Sequence, residues 1–293
     1  MLHSRVLLVL AVAVIAGATS NVCRPQDCVV PKHYTEIGCT PIHEDNSCCP
    51  TRFDCTSLSG RDAHKCYHNG VAYDVNTELA FDPTNACTVA CRCTNITGRA
   101  QVICADVECP ELFQGPLSDP NCFRQYKLDK CCSVNTHCNS NATEKQQTPK
   151  LFECQYDGNT YKEGQVIYPE DAPCKKCICQ NGFNGTLDGP WCQEISCGIE
   201  LHYSRQLSDG CTPIYYGTKG CCPIDWRCPA ASDSFLPTTQ ASSKNSEFKC
   251  KFGDLKLNIG DKLSGISNKC VECSCIVPPM VSCTQKPHNE CTE

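Results

Sequence analysis

Long apolar stretches are almost missing from this chain. The one sustained run, Val6 to Ala16, is 11 residues long, well short of the about 20 that span a bilayer, so no membrane insertion is expected. Large side chains are scarce: aromatics make up 7% of 293 residues, with two Trp and two Met. Basic residues are outnumbered, 26 to 32, for a formal net charge of −6. That balance argues against nucleic acid as the main partner, because phosphate recognition needs clustered Lys and Arg. No segment keeps an apolar period of 3.6 residues, so little or no helix is expected.

Catalytic signatures are missing as well. There is no nucleophile elbow, HExxH, phosphate loop or nucleotide fingerprint. The pair His64 and His68 flanks Cys66 without a helical pattern and reads as surface; Glu44-Asp45 and Glu170-Asp171 read as solvated turn charge. No enzyme, cofactor or metal is expected.

What the chain has is cysteine. There are 32, above the share of about 8–10% that marks a disulfide scaffold. The compartment follows from the first 20 residues. Arg5 precedes the apolar run, and Ala16-Gly17-Ala18 and Ala18-Thr19-Ser20 offer small residues for cleavage, the pattern of a secretory signal peptide. Its removal leaves 25 basic and 32 acidic residues, a net charge of −7, and every cysteine. An even set of cysteines outside the cell reads as a framework of bridges. Cys174-Lys175-Lys176-Cys177 and Cys270-Val271-Glu272-Cys273 have the spacing of zinc sites and redox dithiols. Each is followed by a further cysteine two residues on (Cys179, Cys275), and neither has a second ligand pair or a strand–helix setting.

The cysteines repeat. Cys66 to Cys138 are ten, with gaps of 20, 3, 1, 10, 4, 12, 8, 0 and 5 residues; Cys154 to Cys228 are ten more, with gaps of 19, 2, 1, 12, 4, 13, 9, 0 and 5. Six cysteines before them, Cys23 to Cys55, match the back end of the same unit, and six after, Cys250 to Cys291, match the front end. Other residues keep register with the first cysteine of each front end. Gly70, Gly158 and Asp254 come four residues on, and Asn76, Gly164 and Gly260 ten on, positions suited to turns with unusual backbone angles. Tyr73, Tyr161 and Leu257, then Leu79, Ile167 and Leu263, supply two apolar contacts of a small hairpin. The expected organisation is a signal peptide over 1–20, a partial back-half module over 21–56, full modules over 66–138 and 154–229, and a partial front-half module over 250–293. Polar linkers span 139–153 and 230–249, the second rich in Ser and Thr, extended and mobile.

This layout resembles the von Willebrand factor type C repeat. The features that carry the resemblance are the CxxCxC of Cys174 to Cys179, the adjacent Cys221-Cys222 followed by Pro223, and Cys48-Cys49 followed by Pro50. The resemblance implies a small disulfide-rich fold, β-poor to all-β, made of tandem modules with two subdomains each, a front half with short antiparallel sheets and a back half of loops. It implies the pairs Cys66–Cys93, Cys87–Cys131, Cys91–Cys104, Cys109–Cys132 and Cys122–Cys138. In the next module it implies Cys154–Cys179, Cys174–Cys221, Cys177–Cys192, Cys197–Cys222 and Cys211–Cys228. In the fragments it implies Cys28–Cys49, Cys39–Cys55, Cys250–Cys275 and Cys273–Cys283. Two couples are left over, Cys23 with Cys48 and Cys270 with Cys291, which are expected to pair locally; the alternative is that the two end fragments bridge to each other.

Three sequons, at Asn95, Asn141 and Asn184, are expected to carry N-linked sugar in solvent-facing loops. The resemblance further implies binding of an extracellular protein ligand such as a dimeric growth factor of the bone morphogenetic protein or transforming growth factor-β type. Leu79, Phe81, Ile167 and Tyr168 are the candidate contact residues, with a modest front-half core as their other reading. Two further functions remain open for a secreted chain of this kind: a structural glycoprotein of matrix or body fluid, and a humoral defence factor or protease inhibitor.

Overall fold

Paired left-handed residues start the front halves of the two full modules. The structure, a computed structural model, describes residues 28, 30–44, 47–80, 85–96, 98–138, 151–217, 220–238, 247–266 and 268–291. The expected leader, Cys23, Phe81, Asn141 and much of both linkers lie outside them. Strands Lys65–His68 and Val71–Asp74 turn through Asn69 and Gly70, at φ 51° and 76°. Strands Glu153–Tyr156 and Asn159–Lys162 turn through Asp157 and Gly158, at φ 47° and 74°. Two consecutive positive φ values match the right-handed twist of the flanking strands, which is why Asn-Gly and Asp-Gly sit there. In the last unit the left-handed residue is Gly253, one position before the expected Asp254, between Cys250–Phe252 and Leu255–Leu257. Asn76, Gly164 and Gly260 all adopt the positive φ expected of them.

The sulfur ties follow the strand register. Cys91 faces Cys104, Cys177 faces Cys192 and Cys273 faces Cys283 across antiparallel pairs, each couple bridged with Cα atoms 4.0 Å apart. Cys66–Cys93, Cys154–Cys179 and Cys250–Cys275 fasten the opening hairpin to the same sheet. Cys87–Cys131 and Cys174–Cys221 tie front half to back half. The back halves close with Cys109–Cys132 and Cys122–Cys138, and with Cys197–Cys222 and Cys211–Cys228. In the first fragment Cys28 pairs with Cys49 and Cys39 with Cys55; in the last, Cys270 pairs with Cys291. Fourteen of these fifteen bridges join partners that the resemblance implies, and Cys270–Cys291 is the local pairing expected of its left-over couple. Cys48 is also disulfide-bonded, and its expected partner Cys23 lies outside the described residues.

The result is a small disulfide-rich fold of short strands. Among the described residues the four α-helical segments, His33–Glu36, Pro110–Gln114, Ile199–His202 and Ser204–Ser208, are four or five residues each. Separate small cores form around the sulfurs. Leu79 packs with Cys66, Cys91, Cys93 and Val102, and Ile167 with Cys154, Cys177, Cys179 and Phe183.

The units also dock on one another. Thr212–Tyr216, in the back half of the second full module, pairs in parallel with Ser282–Gln285 of the last fragment. This makes a six-stranded sheet that also takes in Asp225–Arg227, Val271–Ser274, Lys262–Ser264 and Ser234–Leu236. Ser234–Leu236 corrects one expectation. It belongs to the stretch read as a mobile linker, yet it is an edge strand on Lys262–Ser264, where Phe235 joins the last fragment's core.

The first and last fragments meet. Tyr34, Ile37 and Phe53 share a core with Ile199 and Val277, and the Tyr34 ring stacks on Phe53 at 4.2 Å. The Phe53 amide donates to the Pro278 carbonyl at 2.8 Å. Glu36 accepts from the amides of Cys197 (2.7 Å) and Ile199 (3.2 Å), and His33 Nδ1 lies 2.9 Å from the Tyr215 hydroxyl. The two full modules are joined twice. Buried Glu200 accepts from the Asn69 amide at 2.8 Å and pairs with Arg61 at 2.7 Å. The Tyr126 amide donates to the Gly164 carbonyl at 2.8 Å, and Gln125 Nε2 donates to the Glu163 carbonyl at 2.7 Å. His68, expected at the surface, is buried beside this first joint at 8% exposure. Its strand carries it against Asn69, whose side-chain nitrogen is 3.2 Å from the ring.

Candidate binding groove

The second joint leaves a groove. The back half of the first full module contributes Cys122–Gln125 and the loop to Cys131, and the front half of the second contributes Tyr161, Val166, Tyr168, Lys176 and Ile178. The space is about 640 Å³ and open to solvent. Because the Tyr126 and Gln125 bonds hold the two walls together, the groove is fixed by the joint rather than by either module alone.

Its lining is cationic and aromatic. Arg124, Lys127, Lys130 and Lys176 line it, with Phe123, Tyr126, Tyr161 and Tyr168, and the one carboxylate among the lining residues is Asp119. That carboxylate is engaged, accepting from the Asn121 amide at 2.8 Å. Arg124 is anchored by a 2.7 Å bond to the Gly115 carbonyl. Among the described residues Lys130 has an ion pair with Asp129 alone, at 3.7 Å on the surface.

Lys176 is the unusual member. Successive strand residues face opposite ways, and the two lysines of Lys175–Ile178 divide accordingly. Lys175 points to acids, 2.6 Å from Asp188 and 3.8 Å from Glu194. Lys176 points into the groove, half-buried, with no carboxylate partner among the described residues. Loss of hydration lowers its pKa from the ordinary lysine value. Burial likewise raises the pKa of Tyr126.

The four expected contact residues separate. Leu79 is 6% exposed and Ile167 fully buried, so both are core residues and not contacts, a correction that follows from the inward face each presents to the sulfurs. Phe81 lies outside the described residues. Tyr168, 65% exposed, stands on the groove wall. No spacing in the sequence marked the cations, because they come from segments about fifty residues apart in the chain; the alternation of Lys175 and Lys176 on a strand was the one available signal.

The segment just before Gly115, whose carbonyl anchors Arg124, carries an apolar pair. Leu112 and Phe113, on the segment Pro110–Gln114, are 72% and 76% exposed. The segment is pinned at its start by Cys109–Cys132 and by Glu111, whose carboxylate accepts from the Ser133 amide at 2.7 Å. That bond holds the Glu111 carboxyl below the usual range. Val134, 46% exposed, follows directly.

Elsewhere, three sulfur triads lie within 4.8 Å of one another: Cys28, Cys48 and Cys49; Cys109, Cys131 and Cys132; Cys197, Cys221 and Cys222. All nine cysteines are disulfide-bonded, so none offers the thiolate that a metal requires. The crowding is the consequence of two bridges leaving adjacent residues. The side chains of Asn95 and Asn184 are exposed; the Asn184 side-chain Oδ1 accepts from the Thr186 amide (3.1 Å) and hydroxyl (2.7 Å). No family model matches the chain, and no solved structure matches it.

Proposed function

We propose that this chain is a secreted, N-glycosylated extracellular binding protein of the von Willebrand type C kind, not an enzyme, and that its ligand is a protein, a dimeric growth factor of the bone morphogenetic protein or transforming growth factor-β type. The observation that carries the binding reading is the display of Leu112 and Phe113. Two large apolar side chains held in water on a segment cross-tied at both the sulfur and the Glu111 carboxylate are costly to a free molecule. They become favourable when a partner covers them, since burying a side chain of this size is worth about 1.5–3 kcal/mol. Rigid presentation also lowers the ordering cost of association. The choice of a growth factor as ligand rests on the module resemblance. Several modules in one body can engage both halves of a dimer, adding avidity.

Binding of purified secreted protein to immobilised growth-factor dimers tests this. Capture of a dimer, weakened about tenfold or more by Phe113→Ser with the bridges intact, supports the reading. No capture of any dimer removes the growth-factor assignment, and capture indifferent to Leu112→Ser and Phe113→Ser removes this surface from it.

A further inference from the structure

We infer that the groove between the two full modules is a binding site for a sulfated polysaccharide chain, an activity separate from capture of a protein ligand. Three observations lead there. First, the charge is reversed locally. A chain of net charge −6 gathers Arg124, Lys127, Lys130 and Lys176 around one space whose single lining carboxylate, Asp119, is already hydrogen-bonded. Cations brought together on a groove repel one another, and a bound anion relieves that repulsion. Second, Lys176 is half-buried without a counter-charge among the described residues, while its neighbour Lys175 has two acids. A desolvated ammonium gains more from an incoming sulfate than an exposed one does, because the local dielectric is lower. Third, the walls between the cations are aromatic, with Tyr126, Tyr161 and Tyr168 giving flat faces on which the C–H face of a sugar ring can lie.

An acidic peptide is the competing polyanion, and the backbone disfavours it. Peptides commonly dock by adding a strand to a free sheet edge. Of the two edge strands that line the groove, Val166–Ile167 is two residues long, and Cys122–Gln125 runs at its end into the bond by which the Tyr126 amide already occupies the Gly164 carbonyl. The groove therefore recognises through side chains: cations for sulfates, tyrosines for sugar rings. Its openness suits a chain passing through rather than an enclosed small molecule.

The test uses the full secreted chain and a size-defined heparin octasaccharide, titrated calorimetrically at about physiological salt, where the Debye length of about 8 Å removes diffuse attraction. The unmodified protein is expected to bind it, and to bind the desulfated octasaccharide and poly-glutamate at least about tenfold more weakly. The combined variant Lys127→Gln, Lys130→Gln, Lys176→Gln is expected to lose about tenfold or more, and Tyr168→Ala about threefold. The control Lys251→Gln, Lys256→Gln removes two exposed cations from a hairpin of the last fragment that does not line the groove and is expected to stay within about twofold. Tyr168→Ala, at an exposed position, stands in should the triple variant fail to form its bridges. No binding by the unmodified protein, equal loss in the control, or poly-glutamate binding as tightly as the octasaccharide overturns the inference.

Discussion

The hydroxyl of Tyr34 donates to the carbonyl of Val277 at 2.6 Å, across 243 positions of chain. The same oxygen accepts from the Met280 amide at 2.9 Å. One phenol thus satisfies backbone groups of the last fragment from inside the core of the first. Its burial raises its pKa, as expected of a neutral hydroxyl held among apolar neighbours.

Tyr34→Phe keeps the stacking on Phe53 and removes both bonds. It leaves the Met280 amide unsatisfied, a loss expected to cost about 1–3 kcal/mol. Non-reducing denaturant unfolding should show the lower midpoint, and hydrogen exchange should be faster around Met280 than in the bridged sheet of Cys91 and Cys104. Unchanged exchange at Met280 would mean that the two ends are not held together here.

Acid should loosen the same contact. His33 is fully buried, and desolvation lowers its pKa from 6.5 to about 3. Unfolded chains therefore bind a proton that the folded one refuses, and stability falls as pH drops below 6.5, continuing towards 3. Between pH 6.5 and 5, above the titration of ordinary carboxylates, the expected loss is about 1–2 kcal/mol. A His33→Gln variant should show a flatter profile over that interval. A parallel profile would assign the pH dependence to other groups.

The joint between the full modules has its own test. Glu200 is buried and meets both Arg61 and the Asn69 amide. Glu200→Ala strands a partly buried guanidinium, and removing one partner of such a pair costs about 3 kcal/mol or more. Thermal unfolding of the variant with its bridges intact checks this. A shift of less than about 1 kcal/mol would show the pair to be solvated in solution.

Reduction should be more drastic than any of these. Each small core is built around cystine, and a bridge closing a loop of about 15 residues is worth roughly 3 kcal/mol in the chain-entropy model. Thiol reduction at neutral pH should abolish the β-sheet signal in circular dichroism. Retention of that signal would mean that the apolar contacts suffice without sulfur.

The parts legible in the sequence are those that recur within it. Cys91 and Cys104 hold the same places in their module as Cys177 and Cys192, and cross-strand geometry makes both couples bridge. Asn69-Gly70 and Asp157-Gly158 carried the turns in their own backbone preferences. Leu79 and Ile167 were legible as apolar positions with the core and contact readings both open, because Leu79 lies outside any strand and Ile167 on a strand of two residues, too short for alternation to say which face is covered. Docking left no such trace. Tyr34 and Val277 meet because two partial modules each have an uncovered apolar face, and nothing local at either residue names the other. The groove escaped for the same reason. Lys127 and Lys176 are unremarkable polar residues until the Tyr126–Gly164 bond sets them around one space.

The most direct measurement of the account is mass-spectrometric disulfide mapping of the non-reduced, secreted protein. The expected peptides include Cys87 linked to Cys131, Cys174 to Cys221, and Cys270 to Cys291, the first two tying front half to back half and the third closing the last fragment on itself. A peptide joining Cys48 to Cys270, or free thiols at these positions, would contradict it.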